Sequence, residues 1–353
     1  MASSKAYYKH FTITILLLSF TLTSLAGNAE NADVSECKAE LGDSSCRNNK
    51  VAHKLKIIAI LSILVASMIG ISLPLFSSYI PGLNPEGNVF VIAKALASGV
   101  ILATGFMHVL PDSFNDLSSK CLPEDPWRKF PFTTLIAMVS ALFTLMVDAF
   151  FMSVITRNRE GEVKPIQNGS NSLDVETLEN GSNVVEKQDE TSQLLRKKVI
   201  AQVLELGIVV HSVVIGLGMG ASDNQCTIRS LILALCFHQF FEGMGLGGCI
   251  LQAEYGVKIR LIMAFFFAIT TPFGISLGMG IQKTYDETSP TALIVVGVLN
   301  ACSAGLLIYT ALVDLLAHDF FGPKLQGNIK LQAFAFVFVF IGAGGMSVMA
   351  IWA

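Results

Sequence analysis

The chain has 353 residues, 52% of them hydrophobic and only 14% charged, with a formal net charge of −3. Soluble domains carry about 25% charged residues, so this composition is that of a polytopic membrane protein. The slightly acidic balance excludes the broad basic surface that nucleic-acid binding requires.

Residues 1–29 read as a secretory signal: Lys5 and Lys9 without acids, the apolar run Phe11 to Leu18, then Ser24-Leu25-Ala26 as a small-x-small cleavage site. An uncleaved first span is the alternative, and it leaves the topology of the rest unchanged. Residues 30–55 follow as an extracellular N-terminal segment. A span takes about 20 apolar residues, and the segments that reach this length are roughly 56–80, 89–112, 131–156, 198–221, 228–252, 259–281, 291–316 and 331–352. The expected fold class is therefore all-α, with eight transmembrane helices: helices 1–3 over 56–156 and helices 4–8 over 198–353.

Eight spans put both ends of the bundle on one side, and the signal makes that side extracellular or lumenal. Lys and Arg divide almost evenly between the two sides, so the positive-inside rule does not orient the bundle. The expected location is the plasma membrane, with other membranes of the secretory route left open. On this reading the hydrophilic stretch 157–197 is cytosolic. It is rich in Asn, Glu, Ser and Gly and nearly free of aromatics, which predicts disorder. It contains neither histidine nor cysteine, so it offers only scattered carboxylates to a metal. Its two sequons, Asn168 and Asn180, should carry no glycan. Of the seven cysteines, Cys37, Cys46, Cys121 and Cys226 fall outside and Cys236, Cys249 and Cys302 fall in spans. A Cys37–Cys46 bridge suits an oxidising compartment, although spacing alone leaves the connectivity open.

The ionisable residues inside the spans carry the functional signal. An acid at the centre of a bilayer helix costs about 2.5 to 3.5 kcal/mol on insertion scales, so such groups face a cavity, a partner or an ion. VLELGIVVHSVVIGLG (Val203 to Gly218) and LCFHQFFEGMGLGG (Leu235 to Gly248) each bury a histidine. His238 and Glu242 stand four apart, hence on one helix face. By helix rise His211 lies about 20 Å above the cytosolic end of the fourth span and His238 about 15 Å below the outer end of the fifth, so the two meet near the midplane. Ser212 and Gln239 follow them as weaker oxygen ligands or orienting groups. Glu205 and Asp148 lie toward the cytosolic side as an exit path. His108 and Asp112 form a second i,i+4 pair at the outer end of the second span, as an entrance. A lone membrane histidine often bonds a neighbouring helix, and Asp112 and Asp314 lie near interfaces where acids are tolerated. Three such groups at one depth, His211, His238 and Glu242, point instead to a metal. Glycines Gly216, Gly218 and Gly220, Gly243, Gly245, Gly247 and Gly248, and Pro272 beyond them, allow either close helix approach or local unwinding beside the site.

At His211-Ser212 with Gly216, and at His238-Gln239-Phe240-Phe241-Glu242-Gly243, the chain resembles the ZIP family of divalent metal transporters. The resemblance continues through GFMHVLPDSF (Gly105 to Phe114), AFFFAITTPFG (Ala264 to Gly274) and NACSAGLLIYTALVDLLAHDF (Asn300 to Phe320), which look like the plant iron-regulated and zinc transporter branch. It covers the chain from about residue 50 onward apart from the long loop. It implies an eight-helix bundle and uptake of Zn²⁺, Fe²⁺ or similar ions toward the cytosol. His211, His238 and Glu242 match the family's transport-site ligands, Ser212 and Gln239 match neighbouring ligand positions, and His108 and Asp112 match an outer entrance. Some members carry a metal-bridging carboxylate four residues after the first histidine. Here that position is Ile215, which implies one main metal site. The histidine-rich cytosolic loop of many members is absent.

Imidazole and carboxylate suit Zn²⁺, Fe²⁺, Mn²⁺, Co²⁺ and Cd²⁺. The transported metal is the substrate, and no cofactor is expected. The expected partners are divalent metal ions and the lipid bilayer, and a homodimer is the assembly considered. Because metal competes with protons for imidazole, uptake should fall as external pH drops below the histidine pKa. An intramembrane metalloprotease would need His-Glu-x-x-His; the order here is His-x-x-x-Glu, so no enzyme is expected. A receptor that binds metal without transport and a cation exporter are the competing readings, separated from uptake by radiolabelled-metal transport.

Overall fold

The computed structural model describes residues 46, 48–77, 87–160, 175–282 and 288–351. The expected signal peptide, Cys37 and the stretch 161–174 of the long loop lie outside them. The described residues hold eight helices long and apolar enough to cross a membrane. They are α1 (Asn49–Leu75), α2 (Asn88–Leu117), α3 (Phe132–Glu160), α4 (Val175–Ala221), α5 (Gln225–Gln252), α6 (Val257–Ile281), α7 (Pro290–Phe320) and α8 (Ile329–Met349). A single turn, Pro323–Gln326, joins the last two.

Side-chain caps set several of the starts. Asn48 accepts from Val51 N at 3.2 Å, Asn224 from Cys226 N at 3.0 Å, Ser289 from Ala292 N at 3.2 Å and Asn328 from Leu331 N at 3.1 Å. Each satisfies an amide that the helix leaves unpaired at its first turn. Pro290 adds a preset φ at the first position of α7.

Two expectations change. Disorder was expected throughout 157–197, but α4 already begins at Val175. Residues 184–198 are rich in Glu, Gln, Lys and Leu, strong helix formers, and a helix nucleated in the membrane extends through them without a new nucleus. Unwinding at the glycines does not occur: α4 and α5 run unbroken through them. α6 is likewise continuous through Pro272. The departures from α geometry fall elsewhere, as π-helical stretches at Gly105–Val109 in α2 and Thr310–Ala317 in α7.

The glycines serve close packing. A Cβ on Gly70 of α1 would strike the carbonyl of Phe240 on α5, and one on Gly247 would meet Ile71 O at 2.8 Å. Gly220 of α4 meets the carbonyl of Ile275, and Gly278 of α6 that of Leu217. Gly99 and Gly342 join α2 to α8, and Gly305 joins α7 to Ala137 of α3. The bundle is thus built from four close pairs, α1–α5, α4–α6, α2–α8 and α3–α7, each running in parallel. We call the end that holds the starts of α1 and α5 the upper end, and the opposite one the lower.

A disulfide between Cys46 and Cys226 ties the upper ends of α1 and α5, and Cys121 is also disulfide-bonded. This corrects the expected Cys37–Cys46 bridge. Because α1 and α5 are parallel neighbours, their first residues meet across a sequence separation of 180, a proximity that local spacing does not reveal. Lys56, buried in α1, donates to Gln282 at the end of α6 at 3.3 Å, and Gln282 donates to Asp223.

Candidate metal site

Three imidazole rings converge in the middle of the bundle. His108 of α2, His211 of α4 and His238 of α5 have ring centroids 5.6 Å, 5.7 Å and 5.8 Å apart. All three are buried, as are Ser212, Gln239 and Glu242. Both nitrogens of His211, Nε2 of His108, Nε2 of His238, Oγ of Ser212 and both carboxylate oxygens of Glu242 have no hydrogen-bond partner among the described residues. An unpartnered buried polar atom costs about 1–3 kcal/mol, so this many in one place require a further partner.

The spacing comes close to what a small cation would draw without matching it. With metal–nitrogen bonds of about 2.1 Å, two imidazoles at a tetrahedral angle put their ring centroids roughly 5.2 Å apart. The triangle is therefore about half an ångström wider than one ion would draw it. In keeping with that, no three His, Cys, Asp or Glu groups among the described residues are already set to hold an ion together. Glu242 lies one turn along α5 from His238, on the same face. Gln239 is tethered at its Oε1 by Thr271 Oγ1 of α6 at 3.4 Å. Ile215 packs in an apolar cluster with Ile275 and Met219.

His108 thus does not stand at the outer mouth, where the sequence put it. The second span reaches Leu117 rather than ending near 112, so His108 lies about 8 Å deeper, at five residues of helix rise. Its pair with Asp112 is real but loose, with Nδ1–Oδ2 at 3.8 Å and the Asp112 side chain 41% exposed. Above the rings, a cavity of about 270 Å³ opens among Asp116, Ser222, Thr227 and the start of α7. Below them, Ile101, Leu204, Ile208, Leu246 and Leu307 form part of one apolar core.

The lower groups separate. Glu205 is half-buried on α4, whereas Asp148 of α3 accepts from Tyr309 of α7 at 3.1 Å. Asp314, which the sequence placed in a tolerant interface, is only 2% exposed. Its nearest cation is Arg196 at 4.0 Å, and its carboxyl pairs with that of Asp148. Sequence reasoning missed Tyr309, Arg196 and the depth of Asp314. The available signal was the i,i+5 step from Tyr309 to Asp314, which shares a face only if that turn is π-helical.

Comparison with known proteins agrees with this architecture. A family model described as "ZIP Zinc transporter" matches residues 53–350. The chain is 72% identical to Zinc transporter 7 of Arabidopsis thaliana, with 100% of each chain covered. It is 55% identical to Fe(2+) transport protein 2 of Oryza sativa subsp. japonica over 90% of each, and 52% identical to Fe(2+) transport protein 1 of Arabidopsis thaliana over 100% of each. A match across nearly all eight helices, in a bundle whose buried polar groups gather at mid-depth, shows that this chain belongs to the ZIP family of zinc transporters.

Proposed function

We propose that the chain carries Zn²⁺, Fe²⁺ or a related divalent cation from the upper face of the membrane to the cytosol, through the cluster of His108, His211, His238 and Glu242. The observation that carries this reading is the set of buried, unpartnered nitrogens and carboxylate oxygens on three converging rings and one acid. A hydrated ion enters through the upper cavity past Asp116 and Asp112. It exchanges part of its water for imidazole and carboxylate, and leaves past Glu205 or the Asp148–Asp314 region. Ser212 and Gln239 assist or orient. With Ile215 apolar, one metal is held at a time. Three imidazoles and a single carboxylate, without thiolate, bind weakly enough for release, as passage requires.

The upper face is assigned to the outside and the membrane to the plasma membrane. Disulfides persist in oxidising compartments, and the bonded Cys46, Cys121 and Cys226 lie at the upper end while Cys236, Cys249 and Cys302 are free within helices. The function has a direct test: uptake of radiolabelled zinc or iron in cells lacking their own transporters. We expect saturable uptake by the native chain and a loss of roughly tenfold or more for His211→Ala and Glu242→Ala. Uptake no greater than in vector controls, at verified surface expression, rejects transport. Near-native uptake by both variants rejects the site.

A further inference from the structure

At the lower end a buried lysine joins three helices. Lys94 of α2 is 6% exposed. Its ammonium donates to Asp319 Oδ1 of α7 at 2.9 Å and to Gln252 Oε1 of α5 at 3.0 Å. Nδ1 of His318 stands 3.5 Å from the same Asp319 oxygen. Immediately beside this group is a cavity of about 10 Å³, lined by Cys249, Gln252, Asp314 and His318 among others. That is room for about one water or bare ion. Further up, the apolar core separates this cavity from the histidines.

Two features set this ion pair apart. Within the four close pairs of helices, small residues already bring backbones into contact. The Lys94 group instead bridges between pairs, joining α5 of one to α2 and α7 of two others. A buried ion pair is also weak evidence for stability, since desolvation offsets most of its attraction, yet removing one partner is costly. Such a pair suits a contact that holds one arrangement and must be released in another. An ammonium with a carboxylate and an amide oxygen around it has the charge and partners of a bound cation.

We infer that Lys94, Gln252 and Asp319 form the lower closure of the transport path, in which a tethered ammonium occupies the oxygens that a departing cation must pass. The inference rests on the transport reading for its purpose, but its test does not require transport. Cys249 is 4% exposed, lines the cavity beside the closure together with Gln252 and sits one turn before it in α5, so it reports loosening of this group to a reagent on the lower side. In a Cys236→Ser, Cys302→Ser background, the full-length protein in inside-out membrane vesicles is treated with a charged methanethiosulfonate reagent. The rate at Cys249 should be slow with the closure intact. In Lys94→Met and Asp319→Asn it should rise about tenfold or more, as a minor open state becomes populated. Gln252→Leu, which leaves both charges paired, should give a smaller rise, and the exchange Lys94→Asp with Asp319→Lys should slow the reaction again. Losing the Lys94 cation by itself slows thiolate chemistry, so acceleration in Lys94→Met reads access, whereas Asp319→Asn also removes an anion that disfavours the thiolate and counts only beside a rise in Lys94→Met. Gel filtration of each variant checks folding. Unchanged rates in the folded variants overturn the closure. Accelerated rates together with absent metal uptake retain the closure and reject the transport reading alone.

Discussion

His108 is the residue whose position differs most from its reading in the sequence. His211, His238 and Glu242 were legible because each sits inside an unambiguous apolar run. His108 was not, because Pro111 and Asp112 look like the end of a span, whereas the helix continues to Leu117. Pro111 is tolerated there because it follows a π-helical stretch, where the carbonyl register is already shifted. Its ring is as close to His211 as His238 is, so His108→Ala should lower maximal zinc uptake about as much as His211→Ala, by roughly tenfold or more. Asp112 touches His108 only at 3.8 Å and is half-exposed, so Asp112→Ala should mainly raise KM, by a few-fold. Concentration-dependent uptake separates the two. A His108→Ala variant that raises KM with full maximal rate would return the residue to an entrance role.

Among elements, the glycine stripes were visible in the sequence, but their purpose was not. Close approach and unwinding use the same residue, and only the neighbouring backbone tells them apart. Gly220 and Gly278 face carbonyls of the opposing helix, which cannot rotate away as a side chain can. A methyl group there is overpacking, worth about 1–3 kcal/mol of destabilisation. Gly218 and Gly280, on the same two helices, have nothing within 4 Å of a Cβ. Alanine there should be neutral or stabilising by up to about 1 kcal/mol, since glycine is the poorer helix former. Thermal unfolding of the detergent-purified variants should therefore show Gly220→Ala and Gly278→Ala melting below the native chain, with Gly218→Ala and Gly280→Ala at or above it. Equal melting of all four would show that the α4–α6 contact yields. The helix pairing itself was beyond the sequence, because every one of these helices is apolar over most of its circumference and periodicity names no partner.

For the whole molecule, the number of helices follows from apolar run length alone, while orientation does not, since positive charge is nearly balanced across the bundle. The disulfide supplies an independent argument. Cys46 and Cys226 meet only because the first turns of α1 and α5 share an end, and the proposed orientation, with that end in an oxidising compartment, requires the connection between α3 and α4 to face the reducing side. The sequons at Asn168 and Asn180 lie within 157–197, between the third and fourth spans. Glycosylation is confined to the lumenal side, so native protein from the secretory route should show no mobility shift on treatment with an N-glycosidase. An epitope inserted between residues 161 and 174 should bind antibody only after the cells are permeabilised. A glycan on either asparagine, or surface labelling of intact cells, would invert the bundle, make the upper cavity cytosolic and turn the proposed uptake into export.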